Sequence, residues 1–369
     1  MKTNHWIWQN KKWPEFTFDA NELLPKLGTA FHLIGKLEAV SQSVSKEERL
    51  AAQESILADD AIETASIEGE MLRRSSVRSS IQKRIGLPVE KEDWDAHADG
   101  LIAVLLDARN PVSSPLTQKR LLGWHAGLFP TGYSGLKQIR VGRYRGNEEM
   151  QIVSGALGKE IVHYIAPPHD RLADEMDLFL RWVNTESVHH PLIKAGIAHL
   201  WFIMIHPFED GNGRLGRAIT DYIMSSHYPS LMQILSFSKH FSLNRKGYYA
   251  ILEAAGKQSL NITNWLSWFL ETTISAMKEA HWLVDRVVVK TQFWQRHQTT
   301  PLNQRQQKVI NRLLDAGEKF EGAMTTREYA GMTKCSKVTA SRDLADLVHK
   351  KMLQKTASGG RSTGYEIRT

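Results

Sequence analysis

Thirteen residues in a row, Ile193–Ile205, are apolar on nearly every side of a helix, and they run straight into His206-Pro207-Phe208-Glu209-Asp210-Gly211-Asn212-Gly213-Arg214-Leu215-Gly216-Arg217. A helix without a polar face has to lie at the centre of a domain. The turn that follows is therefore presented from a buried platform. Two glycines flanking Asn212 let the backbone turn tightly and point several N–H groups at one spot. A helix expected over Arg214–Ser226 adds the positive end of its dipole. That combination is an anion site. Arg214 and Arg217 stand three apart, share a helix face and can hold phosphate oxygens in bidentate fashion, which suits a triphosphate. Asp210 can hold the magnesium ion that phosphate chemistry uses. His206, a residue type with an ordinary pKa of about 6.5, can take a proton from an attacking hydroxyl.

Each part alone has a plainer reading. A single histidine after an apolar helix is commonly a hydrogen-bonded structural residue. Gly211, Gly213 and Gly216 also satisfy G-x-G-x-x-G, but a dinucleotide fingerprint follows a strand and is answered by an acidic residue about 20 positions on. Here a helical run precedes the glycines and no such residue follows. A zinc hydrolase needs three ligands, and His206 with Asp210 has no third and no H-E-x-x-H pattern. Only the joint constellation is specific.

That constellation resembles the Fic family signature H-x-F-x-[DE]-G-N-G-R-x-x-R, with every fixed position met by His206, Phe208, Asp210, Gly211, Asn212, Gly213, Arg214 and Arg217. The resemblance implies a mainly α fold that moves AMP from ATP onto a Ser, Thr or Tyr hydroxyl of a target protein. It implies His206 as base, Asp210 on Mg²⁺, the Gly211-Asn212-Gly213 turn on the α- and β-phosphates, and Arg214 and Arg217 on the distal phosphates. Leu215 and Gly216 fall within the same implied ATP-binding stretch. Nearer the N-terminus, Thr64-Ala65-Ser66-Ile67-Glu68-Gly69 fits the family's inhibitory pattern [ST]-x-x-x-E-[GN]. Thr64 and Glu68 share a helix face and Gly69 can end the helix. The implied partner of Glu68 is Arg217, which then could not hold the γ-phosphate; a solvated helix-end glutamate is the alternative. A hairpin expected over 152–166, ended by Pro167-Pro168, resembles the family's flap, which registers an extended target segment by strand addition. An ordinary edge hairpin is its alternative. Tyr248-Tyr249 resembles the aromatic pair near the adenine, with Tyr249 as the nucleotide contact and core packing open for Tyr248.

The 369 residues suggest more than one domain. The expected division is an N-terminal helical extension carrying the inhibitory helix at 1–94, a Fic catalytic core at 95–295 and a winged helix-turn-helix-like module at 296–369. Trp6, Trp8, Trp13, Phe16 and Phe18 read as an aromatic clamp on the body, and helical periodicity runs from Ala20 to Arg84. Thirteen basic against seven acidic residues beyond position 300 place +6 of the +7 net charge in the last module. Its helix at Ser336–Lys350 looks like a recognition helix, suited either to DNA through backbone neutralisation or to protein and dimer contacts. One cysteine, Cys335, excludes an internal disulfide framework and a cysteine-based cluster. With no apolar signal core at Met1–Trp6 and no run of about 18 apolar residues, the expectation is a cytoplasmic chain off the membrane. The rival readings are a DNA-binding regulator with a nucleotide-sensing core and a Fic enzyme that removes AMP.

Overall fold

The computed structural model describes residues 6–41, 46–89, 92–110, 114–155, 159–186, 188–257, 259–317, 323–356 and 363–368. Part of the hairpin expected over 152–166, residues 156–158, lies outside them. The described residues are mainly helical and fall into two compact units, Met1–Ala280 and His281–Thr369. The division lies inside one long helix. Among the described residues, no helix is long and apolar enough to cross a membrane.

In the first unit the helical stretch after Ala20 resolves into α1 (Ala20–Ser41), α2 (Lys46–Ile67) and α3 (Arg74–Ile85). Then come α4 (Ala96–Ala108), α5 (Gln118–Leu128), α6 (His169–Asn184) and the central α7 (Pro191–Ile205). All of α7 except Pro191 and Ile203 is buried. Its polar residues survive there because each is satisfied. The Lys194 ammonium donates to the carbonyls of Val183 and Thr185 at 2.7 Å each, and His199 bonds the Thr220 and Tyr248 hydroxyls at 3.0 and 2.7 Å. Alongside it packs α8 (Asn212–His227), close enough that a Cβ on Gly216 would stand 3.1 Å from Ile203 Cδ1. The short helices α9 (Pro229–Met232) and α10 (Phe237–Leu243) lead to α11 (Arg245–Gly256) and α12 (Thr263–Arg296). Neither α9 nor α10 is announced by periodicity, since seven residues or fewer give too little of a 3.6-residue pattern.

Two antiparallel hairpins flank the helices. β1 (Tyr133–Ser134) pairs with β2 (Lys137–Gln138), and β3 (Gln151–Ser154) pairs with β4 (Ile161–Ile165) across a bulge at Ile152/Val153. The N-terminal aromatics pack onto this body. Trp8 Nε1 donates to the Ile165 carbonyl at 2.7 Å and Trp13 Nε1 to Glu175 at 2.8 Å, while Trp13 and Phe16 meet Trp201 edge-on. They brace the end of β4 against α6 and α7.

A buried charge network fixes α2. Arg109, just past α4, donates to Asp60 of α2 and to Asp221 of α8, and Asp60 also accepts from Ser236 Oγ and the Ser238 amide. Burial pushes the Asp221 carboxyl up to about 7 against the pull of Arg109.

The second unit holds α13 (Gln304–Ala316), α14 (Thr326–Thr333) and α15 (Lys337–His349), with the ribbon β5 (Leu353–Lys355) and β6 (Tyr365–Ile367). Val309, Ile310, Met324, Tyr329, Leu344 and Tyr365 are among its core residues. Asp343 of α15 is held by Arg305, Tyr329 and Asn303.

Arg109→Ala leaves Asp60 and Asp221 buried without their cation. It should lower the unfolding free energy by about 3–5 kcal/mol, read by urea titration, with Arg109→Lys losing less.

Candidate active site

His206 ends α7 in the left-handed region, φ 51°, with its amide bonded to the Phe202 carbonyl at 3.0 Å. This turn breaks the helix and leaves the imidazole half-buried in a cavity of about 710 Å³ that Glu68, Asp210, Asn212, Gly213 and Tyr249 also line. His206 Nδ1 lies 3.3 Å from the Ile203 carbonyl. A carbonyl only accepts, so Nδ1 carries the proton and Nε2 keeps its lone pair. Burial pushes the His206 pKa down to about 4, so the ring is neutral at pH 7.

The turn is held from several directions. Gly211 has φ 83°, and a Cβ there would stand 2.9 Å from the Phe129 ring. The Asn212 side chain closes the loop on itself: Nδ2 donates to the Phe208 carbonyl at 2.8 Å and Oδ1 accepts from the Phe208 amide at 3.0 Å. Its amide is thus spent on shaping the turn, and what it offers an anion is the backbone. The first α8 amides, Asn212, Gly213 and Arg214, precede the first intrahelical bond, in which Leu215 N donates to the Gly211 carbonyl at 3.0 Å. Asp210 Oδ1 accepts from the Gly211 amide at 2.6 Å and Oδ2 from the Ser134 hydroxyl.

The arginines are buried, and each already has a carboxylate. Arg217, 2% exposed, donates from Nε to Thr64 Oγ1 at 2.6 Å and from Nη2 to Glu68 Oε1 at 2.8 Å. Glu68 counters the burial that would otherwise disfavour the Arg217 charge, and its pKa is raised. Arg214, 6% exposed, donates from Nη1 to Glu70 Oε2 at 2.6 Å and lies over the Phe129 ring. Arg214 Nε and Arg217 Nη1 are buried with no hydrogen-bond partner. A Cβ on Gly213 would fall on the Glu68 carboxylate, so only glycine there admits it.

The structure thus brings together Thr64, Glu68, His206, Asp210, Gly211, Asn212, Gly213, Arg214 and Arg217. It does not bring Leu215 and Gly216 to the cavity: Leu215 is fully buried and Gly216 packs on Ile203 and His199. Tyr249, 41% exposed, donates to the Ile67 carbonyl at 3.1 Å, whereas Tyr248 is a core residue bonded to His199. Sequence reasoning missed three supports. Arg145 donates to the His206 carbonyl at 2.9 Å and to the Pro167 carbonyl, tying the turn to the end of β4. His125 stacks on Phe208 and bonds the Asp210 carbonyl at 3.3 Å. Glu70 holds Arg214. The one signal in the chain was the cluster Arg140, Arg143 and Arg145 beside a glycine.

Residues 115–224 match the sequence model described as Fic/DOC family, and residues 6–87 match a domain of unknown function, DUF4172. Over residues 115–224 the chain is similar to the Fic/DOC family. It is 28% identical over 176 residues to proteins named protein adenylyltransferase Fic from Drosophila ananassae and Drosophila melanogaster, covering 46% of this chain and 32% of each relative. The chain therefore spans about a third of the length of these curated relatives. A Fic family protein from Desulfovibrio desulfuricans G20 superposes with a TM-score of 0.57 at 21% identity, over 96% of this chain and 98% of that one. A Fic domain containing signaling protein from Bacteroides thetaiotaomicron VPI-5482 gives 0.51 at 19% identity, over 69% and 96%. These likenesses establish a helical Fic fold.

Burial also holds His125 to about 4 and His199 to about 3, as it does His206 to about 4. Their contribution to stability is fully present above the unfolded value near 6.5 and is lost as pH falls toward the folded values, at up to about 1.4 kcal/mol per pH unit for each ring. Carbon-13 NMR of labelled histidines should show these three rings neutral at pH 5.5, where an exposed imidazole is mostly protonated.

Proposed function

We propose that the protein is an adenylyltransferase that moves AMP from ATP onto a Ser, Thr or Tyr hydroxyl of a target protein, and that Glu68 restrains it. The observation that carries this is the Arg217 guanidinium, buried beside Gly213, with Nη1 unpartnered and Nη2 bonded to a carboxylate. An anion is wanted there, and Glu68 stands in for a phosphate oxygen.

The residues divide the work. The open α8 amides and the unpartnered Arg214 Nε and Arg217 Nη1 are donors for the triphosphate. His206, neutral and with Nε2 free, takes the proton of the incoming hydroxyl. The β3–β4 hairpin offers main chain along which an extended target segment can register. Asp210 fits a magnesium ion bound through one carboxylate and phosphate oxygens: its Oδ2 has only Ser134 Oγ as a close partner, with Arg214 at 3.9 Å. Among the described residues no group of three or more metal-ligating side chains forms an all-protein site. Mg²⁺ would supply charge neutralisation at the phosphates. With Glu68 on Arg217, the distal phosphates cannot reach that arginine.

The test uses the intact chain with Mg²⁺ and ATP labelled at the α-phosphate. Glu68→Gly should raise label fixed to protein at least about tenfold over wild type, and adding His206→Ala should lower it by about 10²–10⁴. Bound ATP without label in any variant would overturn the reading.

For the second unit we propose double-stranded DNA as partner, in the manner of a winged helix-turn-helix. Its described acids are engaged internally: Asp343 with Arg305, Asp346 with Lys350, Asp315 with Lys290, Glu328 with Thr325 and Glu366 with Gln354. Arg327, Lys334, Lys337 and Arg342 are exposed, as are Ser341 and Val338 on the same α15 face. Those four cations should give a log–log salt slope of about −4 in fluorescence anisotropy on duplex DNA, and Arg342→Ala should reduce it by about 1. Salt-independent or absent binding would assign this face to a protein.

A further inference from the structure

The carboxylate assigned to the cation is held by a segment that the signature does not include. Asp210 Oδ1 accepts from the Gly211 amide at 2.6 Å, and Oδ2 accepts from the Ser134 hydroxyl. The Asp210 carbonyl lies 3.3 Å from His125 Nε2, while His125 Nδ1 lies 3.0 Å from the Gly142 amide nitrogen. A backbone N–H only donates, so Nδ1 accepts and Nε2 carries the proton directed at Asp210. Every oxygen of Asp210 thus has a donor.

Ser134 is placed by its hairpin and not by Asp210. It pairs with Lys137, Gly135 turns the chain at φ 55°, and the Ile139 amide donates to the Gly132 carbonyl at 3.1 Å. The chain beyond β2 then returns to the signature turn, where the Arg140 amide lies 3.4 Å from Glu209 Oε2 and the Arg145 amide donates to the Pro207 carbonyl at 2.9 Å. Residues 132–145 form a frame around 207–210, and the Ser134 hydroxyl reaches the carboxylate from it.

That carboxylate has a strong competitor for its charge. Arg214 follows Asp210 by four residues, and its Nη2 stands 3.9 Å from the same Oδ2; both side chains line, with Ser134 and Glu70, a cavity of about 490 Å³. Glu70 engages Nη1 of that arginine at 2.6 Å. Once a phosphate displaces Glu70, a freely turning Asp210 can close on the guanidinium as a charge-assisted pair. The carboxylate is then lost to a cation and the arginine to a phosphate. A hydroxyl donor orients the carboxylate without neutralising it, so its charge stays available.

We propose that Ser134 is a positioning residue for Mg²⁺: from β1 it holds the Asp210 carboxylate apart from Arg214, so that the cation and the phosphates each find their own group; this rests on the Mg²⁺–ATP site of the function proposed above.

The experiment measures, by titration calorimetry on the full-length Glu68→Gly protein, the affinity for α,β-methylene ATP, whose α–β bridge cannot be cleaved, in EDTA and in saturating Mg²⁺. The quantity read is the tightening that Mg²⁺ confers. Asp210→Ala should abolish it. Ser134→Ala should lower it about tenfold at an unchanged thermal midpoint, and Ser134→Thr should retain it. In the Asp210→Ala background Ser134→Ala should have no further effect, as expected of two residues acting as one coupled unit. A Ser134→Ala loss of affinity that persists without Asp210 overturns the positioning role and makes Ser134 a structural residue. Tightening that needs Asp210 yet is indifferent to Ser134→Ala overturns it too, with the metal assignment intact. Tightening that survives Asp210→Ala takes the cation away from Asp210 and removes the proposal, while AMP transfer is judged separately by the α-phosphate label. No binding of the analogue by any variant removes the nucleotide site itself.

Discussion

A guanidinium taken out of water needs an anion, and Arg217 is the place where this chain meets that demand. Leaving it buried and unpaired would cost several kcal/mol. The fold supplies Thr64 and Glu68 from the end of α2. That contact requires α2 to sit in one position, which the Arg109–Asp60–Asp221 network provides one turn earlier on the same face of the helix. Asp60 and Thr64 are four apart and face one side, so Asp60 fixes the depth of α2 and Thr64 delivers the next turn to Arg217. The position of Glu68 follows from charge burial farther back along the helix.

The anion turn, by contrast, is formed without any help from Glu68. Asn212 bonds both polar groups of the Phe208 peptide, His125 stacks beneath Phe208, and Arg145 holds the carbonyl of His206. These contacts fix the imidazole and the open α8 amides before any substrate arrives, which is the condition for electrostatic stabilisation without reorganisation. In the function proposed above, control resides in one carboxylate. Removing Glu68 alters the occupancy of Arg217 and leaves the turn intact.

The local part of this site was legible because helix, turn and helix are consecutive. Residues 192–217 specify a buried helix, a glycine turn and a following dipole with no contact from elsewhere. Thr64 and Glu68 were legible only through a pattern, since nothing in spacing or periodicity connects them with Arg217, 153 and 149 residues away. Arg145, His125 and Ser134 were not legible for the same reason without a pattern to help. Leu215 and Gly216 lie inside the motif yet face the core, and helical geometry explains this. Arg214 and Arg217 are separated by almost a full turn and share a face, so the two residues between them point away toward α7. The helices α9 and α10 are too short for their periodicity to register. The long central helices were legible because their apolar pattern persists over several turns.

Glu70 adds an order to the restraint. The turn after α2 brings two carboxylates to the two arginines, Glu68 to Arg217 and Glu70 to Arg214. Both arginines are buried and both carboxylates part-exposed, but Thr64 also bonds Arg217 Nε, whereas Glu70 shares its carboxylate with His97 at 3.5 Å. In the function proposed above, an incoming polyphosphate competes for Arg214 with a carboxylate shared with His97 and for Arg217 with a carboxylate backed by Thr64. On that proposal, a nucleotide able to displace Glu70 would enter and remain unreactive while Glu68 keeps its arginine. The restraint in the proposed function would act on the pose of the phosphates more than on their entry, because Arg217 has Thr64 as a second partner beside its carboxylate.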